Sequence, residues 1–387
     1  MAERIIYLDH AATTPLDQRV LAAMLPYLNE QPGNPSSIHQ LGRAALHALD
    51  DARAAVALVL GCARKEIVFT GGGSESDNLA IKGVALAQRQ RGRGNHIITS
   101  AIEHDAVLHA VEYLEQFGFT STQLPVNAAG LVHPDDLRAA LRPDTILVSV
   151  MYANNEVGTI QPIAELGAIC RERGIPFHSD AVQAAGLLPL DVERLNVDLL
   201  TLTGHKFYGP KGSGLLYVRH GTPLLPQING GGQERRRRAG TENVPGIVGL
   251  ATALTLAEEQ RASMVPHLTK LRDHLIDGVL TTIPRSWLNG DREQRLANNV
   301  NLGFACIESE SLLLLLDQQG ICASSGSACS SGALEPSHVL TAMGLSADAA
   351  NGSLRFSLGH ATQAEEIAHV VAILGPLIER LRAVVTC

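Results

Sequence analysis

Four short stretches place chemically useful side chains where apolar runs end. In "VFTGGGSESDNLA" a glycine turn leads into a helix beginning near Ser74 to Asp77. Glycines let backbone N–H groups approach an anion, and a helix N-terminus adds the positive end of a dipole. Gly73 and Ser74 are therefore candidates for holding a phosphate, although a tight turn with Ser74 as an N-cap accounts for the same residues. In "SAIEHDAV", His104 follows a strand, where a flat imidazole could stack on an aromatic ring or move a proton. A surface histidine at a helix start reads the same way. "FHSDAVQAAG" ends an apolar strand in Asp180, with Gln183 three residues on. That pair could hold a protonated ring nitrogen and a ring oxygen, or Asp180 could be an N-cap. In "LLTLTGHKFYGPKGSG", Lys206 could form a Schiff base with an aldehyde, or be one more exposed lysine.

Singly each signal has a plain structural alternative, but together they name a ligand. A phosphate cradle, a stacking ring, an acid for a ring nitrogen and an amine for an aldehyde are the parts that pyridoxal 5'-phosphate (PLP) needs. Open α/β sheets bind ligands beyond the carboxyl ends of their strands. The surrounding sequence supplies such a sheet. Strands are expected at 66–70, 96–100, 145–153, 176–180, 199–204 and 214–219, with helices in "SDNLAIKGVALAQRQ", "AVLHAVEYLEQF" and "IAELGAICRERG". After about residue 245 a long helical stretch and the strands "NNVNLGF" and "SLRFSLG" predict a smaller α+β domain.

A fifth stretch, "ASSGSACSSGALEPSH" (323–338), puts Cys329 among Ser, Gly and Ala, residues that favour loops over a buried core. The other cysteines, at 62, 170, 306, 322 and 387, show no C-x-x-C and no zinc-type spacing to histidine, so no metal is expected and reduced thiols are the simplest reading. Cys322 is expected to serve packing, and Cys62, Cys170 and Cys306 to be structural. The chain has 387 residues, 45% of them hydrophobic and 18% charged, which suits large buried cores. Its net charge of −8 argues against a nucleic-acid binder. Neither the start "MAERIIYLDH" nor "LLLLLD" is an apolar run long enough for a leader or a membrane span, so a cytoplasmic protein is expected.

The sequence resembles the NifS/IscS-like cysteine desulfurases of the class V aminotransferase group. The resemblance runs through "YLDHAATTPLD", "GNPSSIHQLGR", "EIVFTGGGSESDN", "ANNEVGTIQPI", "HSDAVQAAG", "TGHKFYGPKGSGLLYVR", "RAGTEN", "SSGSACSSGALEPSHV" and "LRFSLG". It implies PLP fold type I, with a large, mostly parallel-sheet α/β domain (15–257) and a smaller α+β domain (1–14 and 258–387) carrying the cysteine loop. It also implies that sulfur is taken from L-cysteine to leave L-alanine and a persulfide on Cys329. Lys206 would carry PLP, with His104 stacked on the ring, Asp180 at its nitrogen and Gln183 at its phenolic oxygen. Gly73, Ser74, Thr203 and His205 would hold the phosphate, Asn155 would lie near substrate and cofactor, and Arg355 would hold the substrate carboxylate. "RAGTEN" would cross a homodimer interface so that Thr241 reaches the neighbouring subunit's phosphate, giving the arginine run 235–238 a place at the rim of the site. The sulfur acceptor is expected to be an iron–sulfur scaffold or another protein. The chain ends soon after its last helix, at "RLRAVVTC", where relatives with a longer tail dock a scaffold. A selenocysteine or cystine lyase, and a non-catalytic sulfur-trafficking partner, are the alternatives.

Overall fold

The computed structural model describes residues 5–325 and 336–384. Cys329 and Cys387 lie outside them. The main sheet comprises β2 (Ile67–Thr70), β3 (His96–Ser100), β4 (Thr120–Leu124), β5 (Thr145–Ser149), β6 (Phe177–Asp180), β7 (Leu199–Thr203) and β8 (Gly214–Val218), in the spatial order β2-β8-β7-β6-β5-β3-β4. β8 runs antiparallel to both its neighbours, and every other pairing is parallel. The central strands are buried along their whole length, which is why they read as mainly apolar runs without strict alternation. The expected strand at 145–153 stops at Ser149, and the chain turns into the site beyond it.

β4 was absent from the expected strands. Its sequence, TSTQL, lies at the sheet edge with only Leu124 buried, so no apolar pattern announces it. The three expected helices form as Gly73–Gln90, Asp105–Glu115 and Ile163–Glu172. They cover the sheet, burying residues such as Leu79, Val84, Val107 and Leu166.

A single helix, Val244–Thr282, links two hydrophobic cores. Its first half packs Ile247, Leu250 and Leu254 into the core of the main sheet, and its second half packs Leu271, Leu275 and Val279 into another. The second core is built on β9 (Ser286–Leu288), β10 (Asn299–Phe304) and β12 (Ser353–Ser357), in the order β12-β10-β9, with the helix Ala364–Arg382. The start of the described chain joins it: β1 (Ile6–Tyr7) pairs in parallel with β11 (Ile321–Cys322), and Ile6 and Leu8 are buried there. Among the described residues no helix is long and apolar enough to cross a membrane. The expectation of uniformly reduced thiols does not hold for Cys306, which is disulfide-bonded, whereas Cys62, Cys170 and Cys322 are free.

Candidate active site

At the carboxyl ends of β2, β3, β5, β6 and β7 lies a cavity of about 340 Å³. Gly73, Ser74, His104, Asn155, Asp180, Gln183, Thr203, His205, Lys206 and Arg355 all line it. Ten residues chosen from sequence thus meet around one space. Thr241 does not line it; it is exposed on the segment that follows the arginine run.

One end of the cavity is built for an anion. β2 turns through Gly71–Gly72–Gly73 into an 18-residue helix whose N-cap, Gly72, provides no side-chain hydrogen bond. The first amides of that helix therefore need a partner from elsewhere. Ser74 stands within the first turn, so it is not the cap. A Cβ at Gly73 would lie 3.1 Å from Val182 Cγ2 and 3.6 Å from Thr203, so a side chain here would crowd the cavity wall. Thr203 donates its hydroxyl to Ser213 O at 3.1 Å. His205 Nδ1 is 3.2 Å from Thr13 Oγ1, and burial, then Lys206 and Lys211, push its pKa down to about 4. A neutral His205 suits a hydrogen-bonding role.

Lys206 sits in a short turn immediately after β7. Its Nζ donates to Ala11 O at 2.5 Å and to Ala12 O at 2.9 Å, from a segment almost two hundred residues away in sequence. Gln183 Nε2 donates to the same Ala11 carbonyl at 3.0 Å. His104 lines the cavity, and its Nδ1 accepts from Ala106 N at 3.1 Å as the N-cap of the helix that follows. That contact places the proton of a neutral His104 on Nε2.

Asp180 closes β6, with Oδ1 accepting from Val182 N at 2.9 Å in a turn rather than at a helix cap. Burial raises its pKa, against the opposing pull of His104, the Val182 amide and Lys206. Behind it lies a group that sequence reasoning did not assign. Asp77 also lines the cavity, and its Oδ1 has no hydrogen-bond partner among the described residues. Burial and then the nearby Asp180 raise its pKa well above the usual range. Glu103 is pushed up to about 8 by burial, although Ser100 Oγ and Met151 N (2.9 Å) donate to its Oε1. His178, between Ser149 Oγ (2.9 Å) and Thr201 Oγ1 (3.0 Å), is pushed down to about 3 by burial. Burial in and beneath the cavity wall thus favours the neutral forms of these groups.

Arg355, on β12, brings the second core to the site. It is 3% exposed; Nη1 donates to Asn155 O and Nη2 to Asp9 Oδ1, both at 3.0 Å, while Nε has no partner among the described residues. A fork of this kind recognises carboxylates. The described chain on either side of the Cys329 segment is anchored here too. Ser324 N donates to Arg355 O (3.1 Å) and Arg355 N to Ser324 O (2.7 Å). Beyond the segment, Ser337 Oγ donates to Glu156 Oε2 at 2.5 Å, and His338 Nε2 lies 3.0 Å from Glu103 O.

The arginine run is no uniform charged loop. Glu234, Arg235 and Arg236 have φ of 43°, 55° and 64°, three consecutive left-handed residues that cost about 1–2 kcal/mol each. Glu234 is buried in a two-pronged pair with Arg53, and Arg238 pairs with Glu75 on the first turn of the cradle helix. A larger hollow of about 920 Å³ opens at the opposite ends of the strands, lined by Arg91, Arg93, Arg171 and Arg173 among others, and holds none of the expected site residues.

The donor set fits PLP. It offers an uncapped helix N-terminus with hydroxyls, a buried carboxylate and a primary amine around one cavity. The model of the class-V aminotransferase family matches residues 6–370. The chain is 55% identical, over 98% of its length and 93% of the relative's, to "Cysteine desulfurase IscS" of Methanosarcina thermophila. A solved structure described as a NifS-like protein superposes with a TM-score of 0.91 at 38% identity, covering 97% of this chain and all of that one. "SspA in complex with cysteine" superposes with a TM-score of 0.80 at 39% identity, over 91% of this chain and 98% of its own.

Proposed function

The chain belongs to the class V aminotransferase family and, within it, to the cysteine desulfurases, and we propose that it takes sulfur from L-cysteine at the cavity described above, with Cys329 as the first acceptor. PLP, when bound, supplies an electron sink that weakens the bond between the substrate's β-carbon and its sulfur. Lys206 would hold its aldehyde carbon, Asp180 its ring nitrogen, Gln183 its phenolic oxygen and His104 its ring face. The helix N-terminus at Gly73 and Ser74, with Thr203 and His205, would hold the phosphate.

The rest is work for the protein's own side chains. Arg355 binds the substrate carboxylate, with Asn155 beside it. The Cys329 thiolate attacks the substrate sulfur, and an S–S bond forms as the C–S bond breaks. The electron pair of that bond stays with carbon, which takes up a proton to give the methyl group of alanine. To take up a proton, His104 would use Nδ1 and must first release the Ala106 amide; the imidazolium so formed could then return a proton to carbon.

One observation carries the role of Cys329. Ser324, five residues before it, is tied to Arg355, and Ser337 and His338 beyond it are tied to Glu156 and Glu103. Five residues span at most about 17 Å, a chain length that lets a residue five beyond Ser324 reach the cavity. The sulfur would leave on an acceptor protein such as an iron–sulfur scaffold. We take the enzyme as a cytoplasmic homodimer in which Thr241 serves the partner's phosphate site, with 15–257 as the large domain and 1–14 and 258–387 as the small one.

The test is anaerobic incubation of PLP-loaded protein with L-cysteine, with alanine and sulfide quantified for wild type, Cys329→Ala and Lys206→Ala. Alanine from wild type alone supports the scheme. Equal alanine from Cys329→Ala points instead to a selenocysteine- or cystine-type lyase. Absence of a PLP absorbance band in wild type, with no alanine, leaves a non-catalytic sulfur carrier.

A further inference from the structure

We propose that Arg53 and Glu234 are positioning residues: their buried pair closes the open edge of β2 and so fixes both the glycine turn of the phosphate cradle and the segment that carries Thr241. The part concerning Thr241 rests on the functional reading above; the part concerning the cradle does not.

β2 is an outer strand, paired with β8 on one side only. On the other side its backbone groups need partners, and two side chains provide them. Arg53 Nη1 donates to Ile67 O at 2.9 Å, and Phe69 N donates to Glu234 Oε2 at 2.9 Å. The same two residues bond each other, Arg53 Nη2 to Glu234 Oε1 at 2.7 Å and Nη1 to Oε2 at 2.9 Å. Each is only 6% exposed, and the guanidinium lies 4.6 Å from the centroid of the Phe69 ring. The pair thus does the work of an absent neighbouring strand. The next residues after Phe69 are Thr70 and the Gly71–Gly73 turn that begins the cradle helix.

Glu234 also begins the three-residue left-handed stretch, a conformation that persists in residues with side chains only when the surroundings over-determine it. A second clamp lies just beyond the stretch. Arg238 Nε donates to Glu75 Oε1 at 2.9 Å, and Glu75 Oε2 accepts from Gly71 N at 2.8 Å. The strained turn is therefore held at one end on β2 and at the other on the first turn of the cradle helix. Thr241 follows Arg238 by three residues, so releasing Glu234 should loosen the cradle and the Thr241 segment together.

Hydrogen–deuterium exchange on the PLP-free protein reads this directly, with PLP dissociation constants measured in parallel by absorbance titration. In Glu234→Gln, exchange is expected to accelerate at least tenfold in peptides covering both 67–73 and 233–243, while peptides from β5 to β7 keep wild-type rates. The double variant Arg53→Met/Glu234→Gln, which leaves no buried charge unpaired, should show the same paired acceleration. Adding Arg235→Gly and Arg236→Gly to Glu234→Gln, which relieves the left-handed turn, should restore most of the protection at 233–243. It should leave 67–73 fast, a split that general destabilisation would not produce. For PLP, the Glu234→Gln dissociation constant should rise at least tenfold. Exchange within twofold of wild type at 67–73 in both charge variants overturns the proposal. Thr241→Ala separates the two readings. If it leaves PLP affinity unchanged, the role of Thr241 at the partner's phosphate falls, and the exchange result still decides the latch.

Discussion

Replacing Arg355 by alanine should weaken the hold on substrate far more than the hold on cofactor. The side chain is almost fully buried, and its fork is aimed by two fixed acceptors, Asn155 O and Asp9 Oδ1, each at 3.0 Å. Nη1 and Nη2 each keep a second N–H, so donors remain for a carboxylate without breaking either contact. A hydrogen bond to a charged group contributes about 1.5–3 kcal/mol. Since each 1.4 kcal/mol is tenfold, losing the carboxylate contact should raise KM for L-cysteine roughly 10- to 150-fold. The contact is made to a carboxylate that does not react, so ground and transition states lose equally and kcat should fall little. Arg355→Lys keeps a charge but not the planar fork, and should recover less than half of the loss in logarithmic terms. Ser324 is tied to the Arg355 backbone, so the anchor of the Cys329 segment survives both changes. The assay is steady-state alanine formation over a range of L-cysteine, with PLP affinity measured separately. A KM within twofold of wild type in Arg355→Ala, with PLP affinity intact, refutes the assignment.

Other perturbations test the cradle and the neutral floor. Gly73→Ala pushes a methyl to 3.1 Å from Val182 Cγ2 and should lower PLP affinity by about tenfold, with circular dichroism unchanged. The Glu103 pKa is raised from 4.5 to about 8, so between those pH values the native state keeps a proton that the unfolded state releases, and stability falls as pH rises through the window. Glu103→Gln should remove that slope, so thermal melts of wild type, relative to this variant, should worsen from pH 5 to pH 8. His178 works in the opposite direction. Its pKa is lowered from 6.5 to about 3, so stability falls as pH drops below 6.5, where the unfolded state takes up the proton first. His178→Gln should flatten that acid limb, and a limb as steep as that of wild type counts against a neutral, buried His178.

The strands that carry the site were legible because they are buried on both faces. Burial on both faces makes an apolar run, and the run ends where the chain meets the cavity, so Asp180, Thr203 and Lys206 stand out as polar residues at its edge. β4 was not legible for the converse reason: an edge strand facing water has no need of an apolar pattern. Asp77 was hidden inside a helix-start motif, where an acid is ordinarily taken as a favourable partner of the helix dipole. Its burial, its place in the cavity wall and an oxygen without a hydrogen bond mark it as part of the site.

By itself, then, the order of residues determined which groups are on hand for chemistry and which sheet would gather them, because residue type, glycine turns and apolar periodicity act over a few neighbours. Tertiary structure decided the rest. The Ala11 and Ala12 carbonyls meet Lys206, Arg53 meets Glu234, and Arg355 meets Asn155 across separations of roughly two hundred residues. No local pattern encodes such meetings. They follow from packing two cores along one helix, and burial then makes each unpaired polar atom costly enough to require a partner.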